Sequence, residues 1–244
     1  MKGIILFIGE SFRSGGQGSR YIGQPESYQA QIDACKTHRN FIKYIIEKYN
    51  IGIDVFISTY ETEYTNDLLN IYNGHIIGTN IYNNQTRIGI KSLFHNSIEN
   101  IQNKQQYEFI FYIRIDLFLK YYLSNIFNPK WETIHFVSVM SEAIDYYKKG
   151  HPRVNDMMLF FPKKYFEYIQ YFGSEECADQ HSQWGKFIDE CKLTYHDLDT
   201  MLDTYRDSNT IKQGNPIYYV CNRPITDNDH AKGYIFDKNK WYEC

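Results

Sequence analysis

Phe109-Ile110-Phe111-Tyr112-Ile113, followed directly by Arg114-Ile115-Asp116, is the stretch on which the reading of this chain turns. Five apolar residues without alternation describe a strand buried on both faces, as in a parallel sheet. A parallel strand needs neighbours reached through crossover helices, and the preceding chain supplies them. Residues 4–8 are a short apolar run that ends at Gly9 and enters a Gly-rich loop. Residues 27–48 carry Ile32, Cys35, Phe41, Ile42, Ile45 and Ile46 at roughly helical spacing, with Ser27 placed as a cap. A second strand is expected at 53–57, a short helix at 66–72 and a weaker third strand at 74–78. A helix is expected at 88–103, with Ile90, Leu93, Phe94 and Ile98 on one face. Beyond Asp116 the pattern changes. Strands are expected at 133–139, 157–161 and 217–220, and helices at 163–172 and 180–191. The fold class is therefore α/β, a Rossmann-like parallel or mixed sheet flanked by helices.

Composition sets outer bounds. The chain has 244 residues, 43% of them hydrophobic, and no linker that argues for two domains. A net charge of −3 without a basic block disfavours a nucleic-acid partner. The five cysteines are scattered without a C-x-x-C pair, so free thiols in a reducing compartment are expected. No run of eighteen apolar residues predicts a membrane span. The first strand lacks a signal-peptide cleavage region, and a cytoplasmic location is expected. The 23 tyrosines could serve as stacking surfaces or reflect AT-rich codons.

Polar residues gather where strands end. The loop 9–20 is neither a P-loop nor a G-x-G-x-x-G fingerprint. Its glycines, with Ser11, Arg13, Ser19 and Arg20, could wrap a diphosphate or form a plain surface loop. Its place beyond a first strand favours a ligand, because open α/β sheets bind there. After the second strand, Thr59 could hydrogen-bond a base and Tyr60 stack on it, or both could be ordinary loop residues. Arg114 and Asp116, at i and i+2 in extended chain, aim to one side. The carboxylate could hold a divalent metal and the guanidinium a phosphate, or the two could pair with each other. Asp156, abutting an apolar strand, is a candidate general base or a turn residue. His181 and Trp184 stand one helical turn apart and could shape an acceptor pocket or pack a helix on the sheet. The loop 207–216, with Lys212 and Asn215, could close over a ligand or lie plain on the surface.

The order of these parts resembles a GT-A glycosyltransferase: a nucleotide-binding half, a short acidic motif after a central strand, and a mixed acceptor half. Phe7-Ile8-Gly9-Glu10-Ser11-Phe12-Arg13, Ile113-Arg114-Ile115-Asp116-Leu117, Val154-Asn155-Asp156 and Asn215-Pro216-Ile217-Tyr218-Tyr219 together resemble glycosyltransferases of large DNA viruses of algae and amoebae. The resemblance implies one GT-A-like domain, with residues 1–116 taking a UDP- or other NDP-sugar donor and 117–244 a glycan or other hydroxyl acceptor. It implies host cytoplasm as the location if the source is viral. It implies Asp116 as ligand to a divalent metal, Mn²⁺ or Mg²⁺, in a motif that is usually Asp-x-Asp. Arg114 stands in place of the first acid and would meet phosphate or the donor sugar. Gly9, Ser11, Phe12, Arg13, Arg20, Thr59 and Tyr60 would line the nucleotide, and Asp156 would face the acceptor. His181, Trp184, Lys212 and Asn215 are the further acceptor-side candidates. His196 and His230 are the C-terminal candidates for a further metal ligand. Two other functions remain open: a non-catalytic nucleotide- or glycan-binding module, and a nucleotidyltransferase using Arg13 and Arg20.

Overall fold

In a computed structural model, residues 1–14, 21–85, 88–136, 157–169, 195–197 and 218–220 are described. Strand β1, Lys2–Ile8, is buried from Gly3 onward, which requires cover on both faces. Helix α1, Tyr28–Tyr49, returns the chain to β2, Gly52–Tyr60, and helix α2, Thr65–Ile71, leads to β3, Ile76–Tyr82. Helix α3, Ile90–Asn100, leads to β4, Phe109–Arg114. β1 runs parallel to β2 on one side and to β4 on the other, and β2 runs parallel to β3. The chain thus winds outward from β1 through β2 to β3, then crosses back to start again at β4. The direction of winding reverses between β1 and β4.

The second half adds β5, Leu117–Leu119, helix α4, Tyr121–Ile126, β6, Ile134–Phe136, β7, Met158–Pro162, β8, Tyr195–Asp197, and β9, Tyr218–Val220. β7 is antiparallel to β4 and to β6, so the sheet is mixed, in the order β3-β2-β1-β4-β7-β6-β8. β5 and β9 form a separate antiparallel pair. A mixed parallel and antiparallel sheet flanked by helices is the fold class expected from the sequence.

Alternation along the strands divides the core. Ile5, Phe7, Val55, Ile57, Phe111 and Phe160 pack with residues of α1, α2 and α4. Ile4, Leu6, Ile8, Ile110, Tyr112 and Leu159 pack with Leu93, Phe94 and Ile98 of α3. Helices therefore cover both faces. At Gly3 a side chain is impossible without rearrangement, because a Cβ would lie 2.0 Å from the Phe109 ring.

Several expectations shift. The third strand begins at Ile76 and runs past Gly78 to Tyr82. The helix expected at 163–172 is, in its described part, a 3₁₀ turn, Lys163–Tyr165, continued by i→i−3 bonds from Phe166, Tyr168 and Ile169. Three residues per turn place Phe166 and Ile169 on one buried side. Ser27 occupies the α1 cap position, but its hydroxyl donates to the Arg13 carbonyl at 2.9 Å instead of capping. β5 and α4 were not expected, since three residues of strand are too few to show a period. The helix expected at 180–191 lies outside the described residues. Among the described residues no helix is long and apolar enough to cross a membrane.

Candidate functional site

The winding reverses between β1 and β4, and it is beyond the carboxyl ends of the strands at such a reversal that open α/β sheets receive ligands. Ile8 pairs with Arg114 across the two strands, and the Ile115 amide donates to the Ile8 carbonyl at 3.0 Å. Arg114 and Asp116 therefore sit at the reversal point, beside Gly9 to Arg13 at the end of β1. Thr59 and Tyr60 end β2 on the other side of β1.

Gly9 turns the chain off the sheet with φ +140°, a conformation that side chains resist. Its amide donates to the Ser58 carbonyl at 3.0 Å. Ser11 and Thr59 then lock together: Thr59 Oγ1 donates to Ser11 Oγ at 2.9 Å and accepts from the Ser11 amide at 3.3 Å. Both are buried, so the pair joins the first two loops and does not present Thr59 to a base. Phe12 holds a left-handed φ of 51°, and its ring is buried in the core near Tyr28 and Tyr64. Phe12, expected to line a nucleotide, is thus an apolar ring that anchors this polar loop to the core. Arg13 is 6% exposed and pairs with Glu10 at 3.1 Å.

Tyr60, expected to stack on a base, is likewise turned inward. It is buried, its hydroxyl donates to the Ile88 carbonyl, and its ring packs against Tyr82, so it offers no open stacking face.

Arg114 and Asp116 form a two-point fork. Nε donates to Oδ1 at 2.9 Å and Nη2 to Oδ2 at 2.6 Å. Asp116 is 2% exposed, while the Arg114 side chain keeps 15%. A fork of this geometry is among the stronger protein ion pairs, and burial leaves it little competition from water. It also engages both oxygens of the carboxylate expected to hold a metal. Among the described residues no cluster of three or more His, Cys, Asp or Glu side chains could hold a metal ion. Among the described residues Asp116 is thus committed to Arg114 and belongs to no cluster that could hold a divalent metal. The charges at this edge are two ion pairs, Arg13 with Glu10 and Arg114 with Asp116.

Helix α1 carries polar residues that sequence reasoning passed over. Gln31 Nε2 donates to the Ile115 carbonyl at 2.7 Å, and Gln31 Oε1 accepts from the Phe12 amide at 3.2 Å. Thr37 Oγ1 accepts from the Leu119 amide at 2.9 Å. His38 Nε2 lies 2.6 Å from the Leu117 carbonyl and Nδ1 2.6 Å from the Tyr72 hydroxyl. A carbonyl can only accept, so Nε2 carries the proton and Nδ1 accepts from Tyr72. Burial pushes the His38 pKa down to about 3, against weaker opposing effects of the Leu117 carbonyl and the Asp116 charge. The ring is neutral and stacked on Phe7 at 4.4 Å. The available signal was spacing: Gln31, Cys35, His38, Ile42 and Ile45 follow one buried stripe, and two of them are polar.

Gly9, Ser11, Arg13, Thr59, Arg114 and Asp116 are thus brought to one edge. Arg20, Asp156, His181, Trp184, Lys212, Asn215 and His230 lie outside the described residues. His196 lies in β8, of which the backbone alone is described.

No protein-family model and no curated protein matches the chain. Solved structures do resemble it. A Drosophila β1,4-galactosyltransferase 7, in complex with manganese, UDP-Gal and xylobiose, aligns at 9% identity with TM-score 0.46, over 82% of this chain and 66% of that one. The chain spans just under two thirds of that protein's length. A glycosyltransferase involved in glycosylating the major capsid of PBCV-1 aligns at 10% identity with TM-score 0.40, over 80% of this chain and 81% of that one. The inositol-1-phosphate CTP transferase of T. maritima aligns at 15% identity with TM-score 0.44, over 81% and 85%.

Proposed function

We propose that this protein is a nucleotide-sugar-dependent glycosyltransferase, moving a sugar from a nucleotide-diphosphate sugar to a glycan or other hydroxyl acceptor. The observation that carries the reading is the buried Arg114–Asp116 fork at the point where the winding of the sheet reverses. Packing alone does not call for an ion pair there. The donor's diphosphate lies against the carboxyl ends of β1 and β4, met by the guanidinium groups of Arg13 and Arg114. Asp116 holds Arg114 in place, so its charge is oriented before the ligand arrives. Residues 1–116 form the donor side and residues 117–244 the acceptor side, where His181, Trp184, Lys212 and Asn215 belong.

In the reaction the acceptor oxygen bonds to the anomeric carbon. The bond from that carbon to the β-phosphate oxygen breaks, and the nucleoside diphosphate leaves with the electron pair. Guanidinium charge at these strand ends offsets the charge that develops on the leaving diphosphate. If the anomeric centre inverts, Asp156 takes the acceptor proton.

The test is incubation with a panel of sugar nucleotides, with and without Mn²⁺, measuring nucleoside diphosphate release and the melting midpoint. Release with at least one donor supports the reading. No release together with no ligand-dependent rise in midpoint overturns it. The closed state of the fork favours one second reading, a module that binds the nucleotide without turnover. A rise in midpoint without release in any combination identifies that case. Where release is seen, Asp116→Asn should lose turnover while remaining folded.

A further inference from the structure

We propose that Gln31 is a positioning residue for this site, a carboxamide cross-tie that fixes the β1 loop relative to the turn after β4. The inference rests on the transferase reading for its ligand but not for its geometry.

One side chain binds both loops. Gln31 Oε1 accepts from Phe12 in the first, and Nε2 donates to Ile115 in the second. Gln31 is 1% exposed, so water does not replace either bond at no cost. The two residues it holds are the immediate neighbours of the charged ones: Phe12 precedes Arg13, and Ile115 lies between Arg114 and Asp116.

A second, independent observation is the backbone at Phe12. Its φ of 51° is unfavourable for a residue with a Cβ and persists only where surroundings impose it. Here three contacts do so: the ring buried in the core, the Phe12 amide on Gln31, and the Phe12 carbonyl accepting from the Gln24 amide at 3.0 Å. Release of the amide would let the loop relax and carry Arg13 with it.

A third observation concerns the other side. Past Ile115, α1 also fastens the Leu117 carbonyl through His38 and the Leu119 amide through Thr37. Asp116 therefore stands between two carbonyls, both held by one rigid helix. Gln31 alone of these three residues also reaches the first loop. It sets the separation between Arg13 and the Arg114–Asp116 fork, and that separation decides whether both guanidinium groups reach one diphosphate.

Gln31→Met keeps the length of the side chain and removes both bonds, and Gln31→Glu keeps the acceptor but loses the donor. Amide hydrogen exchange on the ligand-free proteins is the first measurement. In Gln31→Met, protection falls together in residues 9–14 and 114–119 while the rest of β1 and β4 is unchanged. Loss on one side only, or loss spread evenly over the sheet, overturns the cross-tie. Donor turnover is the second measurement, with a sugar nucleotide that wild type accepts. Gln31→Met falls about 100-fold, the order expected when a reacting group is displaced by about 1 Å. Gln31→Glu recovers toward wild type as pH is lowered, because a protonated carboxyl regains a donor for Ile115. Unchanged turnover in Gln31→Met overturns the positioning role while the transferase reading stands. A wild type that accepts no donor overturns that reading, and the exchange measurement still decides the cross-tie.

Discussion

Replacing His38 with glutamine should flatten the acid limb of this protein's stability curve by an amount that follows from the burial of one ring. In the folded state the His38 pKa is pushed down to about 3, chiefly by desolvation. In the unfolded chain it returns to about 6.5. Between these values only the unfolded chain takes up the proton, so acid favours unfolding. The contribution is fully retained above pH 6.5, declines as pH falls below it, and stops declining near 3. Each pH unit in that window is worth about 1.4 kcal/mol, which gives about 2 kcal/mol between pH 6.5 and pH 5. Glutamine places its amide nitrogen near the position of Nε2 and keeps a donor for the Leu117 carbonyl, while losing the acceptor for Tyr72. The variant is less stable by a constant offset, but it does not titrate. Urea unfolding of both proteins at pH 7, 6 and 5 reads the difference directly. Groups common to both proteins cancel in the difference. The stability gap should narrow by about 2 kcal/mol on going from pH 7 to 5. Parallel curves would refute the assignment of His38 as a neutral, desolvated ring.

Other outcomes follow from the same structure. Arg114→Met leaves the buried Asp116 carboxylate without its fork and should cost about 3–5 kcal/mol by denaturant unfolding. The double change Arg114→Met with Asp116→Leu should cost less than the single one, and a larger loss would show that the ion pair is not the unit. Mn²⁺ alone should leave the melting midpoint of wild type unchanged, because Arg114 engages both Asp116 oxygens. It should raise the midpoint of Arg114→Asp, where two carboxylates at i and i+2 face one another, and a rise in wild type would count against the fork as drawn. The Cys35 thiol, pushed up to about 11 by burial, should resist iodoacetamide at pH 8 until urea is added. Mass spectrometry of the Cys35 peptide reads this, and rapid labelling of the native protein would contradict the burial.

The strands were readable because their residues carry the signal themselves. An unbroken apolar run at residues 109–113 can be buried on two faces only, and the alternation of such runs with helical periods implies parallel winding. The site was readable in part for the same reason: Arg114 and Asp116 interrupt a run that packing would have continued. Which of their two roles holds depends on side-chain rotamers, and composition does not encode those. The burial of Phe12 and Tyr60 was not readable, because position at a strand end predicts the edge, not the direction a side chain takes. Gln31 and His38 were missed because their partners lie 84 and 79 residues away. A polar residue on an apolar stripe then looks like an interruption until the carbonyl it serves is known.

The place of β1 in the sheet has a consequence for synthesis. The strand leaves the ribosome before its partners, and one of its two edges is paired by β4, which ends at Arg114. At about 5–20 residues per second, the chain needs roughly 6–20 s to supply that partner. Throughout that interval Ile4-Ile5-Leu6-Phe7-Ile8 has at most β2 to pair with, once residue 60 is made, and presents an open, strongly apolar edge. Edges of this kind recruit other strands. Slow translation between codons 8 and 114 should therefore lower the soluble yield, and a chaperone that covers nascent apolar strands should restore it.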